Sequence, residues 1–366
     1  DEAFTDREDE LRELVGDVRN GQDVVLFAPR RYGKSSLIWR AAQQLVGDGV
    51  LVAQVDLMRT PTKEKLAEKL AQAIYEEIAS PLLRARERLR MFAGLRIAPT
   101  ATIDPEDGSL SFSFDARAAR EDLDVTLEGL LALPGRLAAE RDRRVALVLD
   151  EFQEAVEIDR GLLKLMRSVF QEQPEVAHVY LGSARHMIER IFNDEHEPFW
   201  RSAKQCELGS IPREPFEAYA RERFERTGKA IEDATRAAVL EATGGHPYAT
   251  QELLYFLWEE TPLGEVAGQE RLGRALGATL RSEHTHFSLL WSRASAGQRR
   301  VLQALAVESG RPLGSDYRRR HRLPSAASVQ TALDALVAAE LVARVARGEY
   351  RIAEPFLAEW ISLNES

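Results

Sequence analysis

The chain has 366 residues, of which 44% are apolar and 30% charged, enough for two or three domains that each bury a core. A net charge of -10 excludes a whole-protein field that would gather nucleic acid or anionic membrane without sequence preference, so any basic patch has to be local. One cysteine, Cys206, excludes an intrachain disulfide framework and a cysteine-based zinc site; with an acidic start and no apolar run near the ~20 residues that span a bilayer, the composition predicts a cytoplasmic protein with no membrane partner.

Asp6 to Arg19 carries Leu11, Leu14, Val15 and Val18 at helical spacing and is stopped by Asn20-Gly21. Asp23 to Ala28 holds the run Val24-Val25-Leu26-Phe27, which predicts a buried strand, and Ser35 to Val46 puts Leu37, Ile38, Ala41 and Leu45 on one helical face. Between them lies Ala28-Pro29-Arg30-Arg31-Tyr32-Gly33-Lys34-Ser35. A phosphate loop needs glycine where backbone approaches oxygen, a lysine to reach the β and γ phosphates, and a hydroxyl for magnesium; Gly33, Lys34 and Ser35 supply them. Ala28 stands where the usual eight-residue pattern has its first glycine, and Gly-Lys-Ser alone also reads as a strand-to-helix turn with a solvated lysine.

Val50 to Val55 is a second strand. A long insertion follows, helical over Lys63 to Ala79 and Leu123 to Arg141. Within it Ile97 to Ile103 and Leu110 to Phe114 alternate around Asp104-Pro105-Glu106-Asp107-Gly108, predicting a β-hairpin. Val145 to Leu149 is an apolar strand ending in Asp150-Glu151. The first carboxylate can hold the magnesium water shell, and the second can orient, or take a proton from, the water that attacks the γ phosphate. Val176 to Leu181 ends in Gly182-Ser183-Ala184-Arg185. If this strand neighbours the first, Ser183 becomes a γ-phosphate sensor with Arg185 second to it; a helix N-cap is the alternative for Ser183. Gln205 to Ile211 completes the strands. Continuous apolar strands alternating with helices predict an α/β fold with a mostly parallel sheet covered on both faces.

Pro215 to Trp258 reads as a helical lid broken by Gly244-Gly245-His246-Pro247. From Ala296, helices at Gln298 to Glu308 and Ser325 to Glu340 precede strands at Leu341 to Val345 and Glu349 to Ile352 around Arg347-Gly348, the order of a winged helix. The predicted division is therefore a phosphate-loop core over 1–212 with an insertion at about 80–125, a lid over 213–285 and a winged helix over 286–366. The exposed face of the second winged-helix helix (Ser325, Ser328, Gln330, Thr331, Asp334) has no cation. The run Arg318-Arg319-Arg320-His321-Arg322 and Arg347 at the wing tip could still touch phosphate, so protein contact is ranked ahead of DNA.

The two motifs together predict ATP or ADP with Mg2+ as cofactors. Pro29, Arg30, Arg31, Tyr32, Gly33, Lys34, Ser35 and Ser36 would wrap the phosphates and Ser35 and Asp150 hold the metal, while Lys34, Asp150, Glu151 and Ser183 would form the catalytic set.

Several stretches resemble the archaeal-type ATPases of the STAND group, relatives of the AAA+ proteins, and especially their bacterial members. These are Phe4-Thr5-Asp6-Arg7-Glu8-Asp9-Glu10-Leu11, Pro29 through Leu37, Leu147-Val148-Leu149-Asp150-Glu151-Phe152-Gln153, Gly182-Ser183 with Met187 and Phe192, Pro198-Phe199-Trp200-Arg201, Gly244-Gly245-His246-Pro247 and Glu354-Pro355-Phe356-Leu357. The resemblance implies a sheet with the phosphate-loop strand central, a helical lid, a C-terminal winged helix, and a nucleotide state that controls domain arrangement. It also implies that Phe4 and Arg7 approach the adenine end, that His246 and Pro247 lie near the nucleotide, and that Arg201 senses phosphate. A turn histidine held by backbone bonds and a structural ion pair are the alternatives for His246 and Arg201. The function so read is an Mg2+-dependent, ATP-hydrolysing switch with a protein partner or self-association. A winged-helix DNA-binding protein with a regulatory or idle nucleotide site is the alternative, and a scaffold that keeps ADP a third reading.

Overall fold

The computed structural model describes residues 7–78, 90–103, 110–114 and 120–365. Phe4 and the turn Asp104 to Gly108 lie outside these residues. The chain forms two compact units, one of Arg7–Arg30 with Lys34–Leu208, the other containing Arg31–Gly33 and the chain from Gly209 onward.

In the first unit the helix Glu8–Arg19 precedes β1 (Val24–Phe27), and the helix Lys34–Gly47 precedes β2 (Leu51–Asp56). The helix from Lys63 passes at Ala73 into a π-helical turn, Ile74–Ile78, and then come β3 (Thr100–Ile103) and β4 (Leu110–Ser113). These two strands pair antiparallel, and Phe112 anchors them through ring contacts to Tyr75 (5.3 Å) and Phe92 (5.5 Å). The long helix Arg120–Arg141 leads to β5 (Val145–Asp150), β6 (Val176–Gly182) and β7 (Lys204–Glu207).

The sheet order is β2-β5-β6-β1-β7 and every pair is parallel. Strands β1, β5 and β6 are near-continuous apolar runs because helices cover both faces, as the sequence predicts. The expectation of a central phosphate-loop strand needs one refinement. β6 occupies the middle and β1 is next to it, flanked by the short β7. The last strand stops at Glu207, short of the expected Ile211, because the chain leaves the sheet after Leu208 bonds Phe27 O, and Ile211 N bonds Gly245 O instead.

Behind the C-terminal end of β5 lies an aromatic cluster. Phe152 sits 4.6 Å from Tyr180, 5.2 Å from Phe199 and 5.8 Å from Phe192 between ring centroids, all of them buried. This cluster holds down the turn that carries Asp150 and Glu151.

The second unit begins with the helix Arg213–Arg226, followed by β8 (Ala230–Ile231) and the helices Asp233–Thr243 and Pro247–Glu259. A two-residue strand β9 (Val266–Ala267) pairs with β8, and the helices Gln269–Ser282 and His284–Arg293 follow. The helical reading of Pro215 to Trp258 missed β8 because two residues carry no alternation to detect. Next come the helix Ala296–Val307, entered through a Ser295/Gln298 capping box, and the helices Ser315–Arg320 and Ala326–Ala338. The hairpin β10 (Val342–Ala346) and β11 (Glu349–Ile352), together with a bridge from Gly310 to Tyr350, makes a C-terminal winged helix, closed by the helix Leu357–Asn364. One apolar cluster runs from Ala220 to Ile361. Among the described residues no helix is long and apolar enough to cross a membrane.

Truncating Phe152 to Ala removes the ring on which the β5 turn rests and is expected to destabilise the first unit by about 3–5 kcal/mol. Denaturant unfolding followed on that unit checks this; an unchanged midpoint contradicts it.

Candidate nucleotide site

The phosphate loop leaves β1 at Ala28, whose amide donates to Gly182 O at the end of β6 (3.3 Å). Gly33 takes φ +89°, the left-handed region that favours glycine, and Arg31 enters the same region at φ +67°. A Cβ on Gly33 would meet nothing within 4 Å, so its requirement is conformational. Lys34 opens the following helix and is buried, with 8% exposure. Its Nζ donates to the carbonyls of Ala28 (2.7 Å) and Pro29 (3.4 Å). Ser35 and Ser36 are exposed on the first helical turn, and Pro29 and Arg30 are exposed in the loop.

The helix Lys34–Gly47 has no acidic residue in its first turn, whereas Glu8–Arg19 has three. The positive end of its dipole therefore adds to the Lys34 ammonium, with no carboxylate in that turn and the charge of Asp150 acting on Lys34 from β5. That combination is an anion site.

Asp150 ends β5, and its Oδ1 accepts the Glu151 amide at 2.9 Å. Burial raises its pKa above the usual carboxylate value, against the opposing pull of that amide and of Lys34. Asp56 is its register partner on β2. Glu151 sits in the left-handed region (φ 51°, ψ 50°). Its Oε2 accepts hydrogen bonds from Ser183 Oγ (2.7 Å) and Gln153 Nε2 (2.5 Å). Because β6 lies between β1 and β5, Ser183 falls between the phosphate-loop strand and the Asp150–Glu151 turn. The helix after β6 is capped at Ala184 without a side-chain bond, so the Ser183 hydroxyl serves Glu151 and not a helix end. Arg185 pairs with Glu189 and Glu207 and lies over the Phe27 ring. Arg201 has φ 50° and stacks over Trp200, its amide bonding Phe192 O. Arg7 is buried and paired with Glu10 (2.7 Å).

In the second unit Arg31 and Tyr32 meet the Gly244–Pro247 turn and its surroundings. Tyr32 packs edge-on against His246 (4.6 Å between centroids), and Arg31 lies 4.4 Å over the Tyr248 ring. The Arg31 guanidinium is 3.7 Å from Glu354 and 3.9 Å from Glu283. Burial and then the charge of Glu283 push Glu252, on the same helix as Tyr248, up to about 7. His246 caps the helix Pro247–Glu259, its Nδ1 accepting the Ala249 amide at 3.3 Å, and Pro247 occupies the first helical turn.

Sequence reading missed the roles of Gln153, Glu252, Glu283 and Glu354. Gln153 and Glu354 stand inside motifs already singled out; Glu252 and Glu283 carry no local signal.

Among the described residues no group of three or more His, Cys, Asp or Glu is placed to hold a metal. A hydroxyl at Ser35 and a carboxylate at Asp150 are hard oxygen donors, the pair that suits a magnesium ion retaining most of its water.

A lysine-bearing loop between a parallel strand and a helix, facing paired carboxylates on a nearby strand end, defines a phosphate-loop nucleotide-binding domain of the α/β class. The model of a family described as an ATPase domain predominantly from Archaea matches residues 4–253, and one described as a probable winged helix domain matches residues 285–363. The chain belongs to that family of ATPase domains. Among solved structures it is similar to a Walker-type ATPase of Pyrococcus abyssi, at 17% identity and TM-score 0.66, over 98% of this chain and 96% of that one. It is also similar to the ORC2 protein of Aeropyrum pernix in ADPNP and ADP complexes, at 14% identity and TM-score 0.54, over 98% and 93%. At these identities the likeness is one of fold. No curated protein sequence matches the chain.

Burial first, then the Arg31 charge, lower the His246 pKa from 6.5 to about 4. Between those values the unfolded chain binds a proton that the folded chain refuses. Stability is thus fully present above 6.5 and declines as pH falls toward 4, by about 1.4 kcal/mol per unit at most. His246→Asn keeps a capping oxygen and removes the titration. Unfolding midpoints measured between pH about 7 and about 5 are expected to fall more in the wild type than in this variant; equal slopes contradict the assignment.

Proposed function

We propose that this protein is an Mg2+-dependent, ATP-hydrolysing switch of the STAND and AAA+ type. The observation that carries the reading is the Glu151 carboxylate, fixed by Ser183 beside Asp150 while Lys34 is buried on the carbonyls of its own loop. Phosphate oxygens replace those carbonyls as partners of Lys34 Nζ, and the amides of the first helical turn bind the same anion. Ser35 and Asp150 would hold Mg2+, which supplies charge neutralisation on the phosphate oxygens. Glu151 orients the attacking water, and Ser183, just past the end of the strand between, reports whether a γ phosphate is present. His246 and Pro247 contribute a contact to the nucleotide, Phe4 and Arg7 its adenine end, and Arg201 a phosphate contact. Family membership supports the nucleotide as ligand, and the likeness to solved structures supports the fold that would hold it.

The proposed organisation is a core over 1–212, a lid over 213–285 and a winged helix over 286–366. Protein contact or self-association is favoured over DNA for the winged helix by its arginine run. Arg318 bonds the Leu313 and Pro324 carbonyls, Arg319 pairs with Asp316, and Arg320 and His321 share Glu308. Phosphate contact would have to break these bonds. The exposed face of Ala326–Ala338 carries Ser328, Thr331 and Asp334 but no cation.

Lys34→Ala is expected to abolish ATP binding. Glu151→Gln should retain ATP and lower phosphate release by about 10²-fold or more. Titration with a fluorescent nucleotide and a phosphate-release assay check both; wild-type affinity in the first variant, or wild-type turnover in the second, contradicts the reading.

A further inference from the structure

We propose that Gln153 is a positioning residue for hydrolysis: its amide, with the Ser183 hydroxyl, holds one oxygen of the Glu151 carboxylate and leaves the other to the attacking water. This inference rests on the hydrolytic reading above.

Both hydrogen bonds fall on the same atom, Glu151 Oε2, at 2.5 Å from Gln153 Nε2 and 2.7 Å from Ser183 Oγ. Among the described residues Oε1 accepts no hydrogen bond. Two donors on one oxygen fix the rotation of the carboxylate, so the second oxygen faces a set direction. The donors are themselves buried, Gln153 and Ser183 each being 3% exposed.

The backbone is shaped for this contact. Glu151 in the left-handed conformation turns the chain into the short helix Phe152–Glu154, and that turn brings the side chain at position 153 back onto position 151. Phe152, between them, is pinned in the aromatic cluster. Gly182 leaves room on the other side: a Cβ there would lie 3.0 Å from Gln153 Oε1 and still closer to Ile188.

The Gln153 amide is satisfied at one end only. Its Oε1 is buried with no hydrogen-bond partner, a cost that a purely packing residue such as leucine would avoid. Turning the amide over would set its oxygen against the carboxylate, so the bond to Glu151 fixes its orientation. In the reaction the water oxygen bonds the γ phosphorus as the bond to the β–γ bridging oxygen breaks and its electron pair leaves with ADP. The water proton passes to Glu151 Oε1.

Two variants test this. Gln153→Leu removes the donor at similar volume, and Gln153→Glu keeps the shape while replacing the donor with an acceptor. Each is expected to lower kcat for phosphate release about tenfold or more, with the dissociation constant of a non-hydrolysable ATP analogue within about twofold of wild type. Wild-type kcat in either variant, or a parallel loss of analogue affinity, would overturn the positioning role and leave the hydrolytic reading standing. A wild-type protein that releases no phosphate from ATP overturns both.

Discussion

A buried ammonium at the positive end of a helix is the constraint around which this site is arranged. Lys34 is where the dipole of Lys34–Gly47 already makes a cation unfavourable, and no acidic residue stands in the first turn to offset it. The carbonyls of Ala28 and Pro29 compensate in part, with Asp150 adding its field from β5. Such an arrangement holds a standing attraction for anions.

The carboxylate side of the site is the complement. Asp150 is desolvated enough to keep its proton to higher pH than a free carboxylate, so a cation bound beside it would compete with that proton. Glu151, one residue on, is held in a left-handed turn by an aromatic anchor beneath and two donors beside it. Neighbouring carboxylates thus stand in different surroundings, Asp150 desolvated and Glu151 held by two donors.

Much of this was legible in the sequence because it is local. The strand-loop-helix grammar around Gly33-Lys34-Ser35 and the apolar strand ending in Asp150-Glu151 need no tertiary knowledge. The role of Ser183 depended on whether β6 neighbours β1, and apolar runs do not encode strand order. Gln153 was visible as a letter in a motif, but its bond to Glu151 follows from a backbone angle of φ 51° that no propensity gives for glutamate. The partners of Arg31, Glu283 and Glu354, come from distant stretches of chain and had no periodic signal to announce them. The strands β8 and β9 were too short to read.

The most direct test of the central claim is a crystal structure with a non-hydrolysable ATP analogue and Mg2+. Lys34 Nζ is expected on the β and γ phosphate oxygens, withdrawn from the carbonyls of Ala28 and Pro29. Finding the nucleotide bound while Lys34 still donates to Ala28 O, or finding the nucleotide away from this loop, would contradict it.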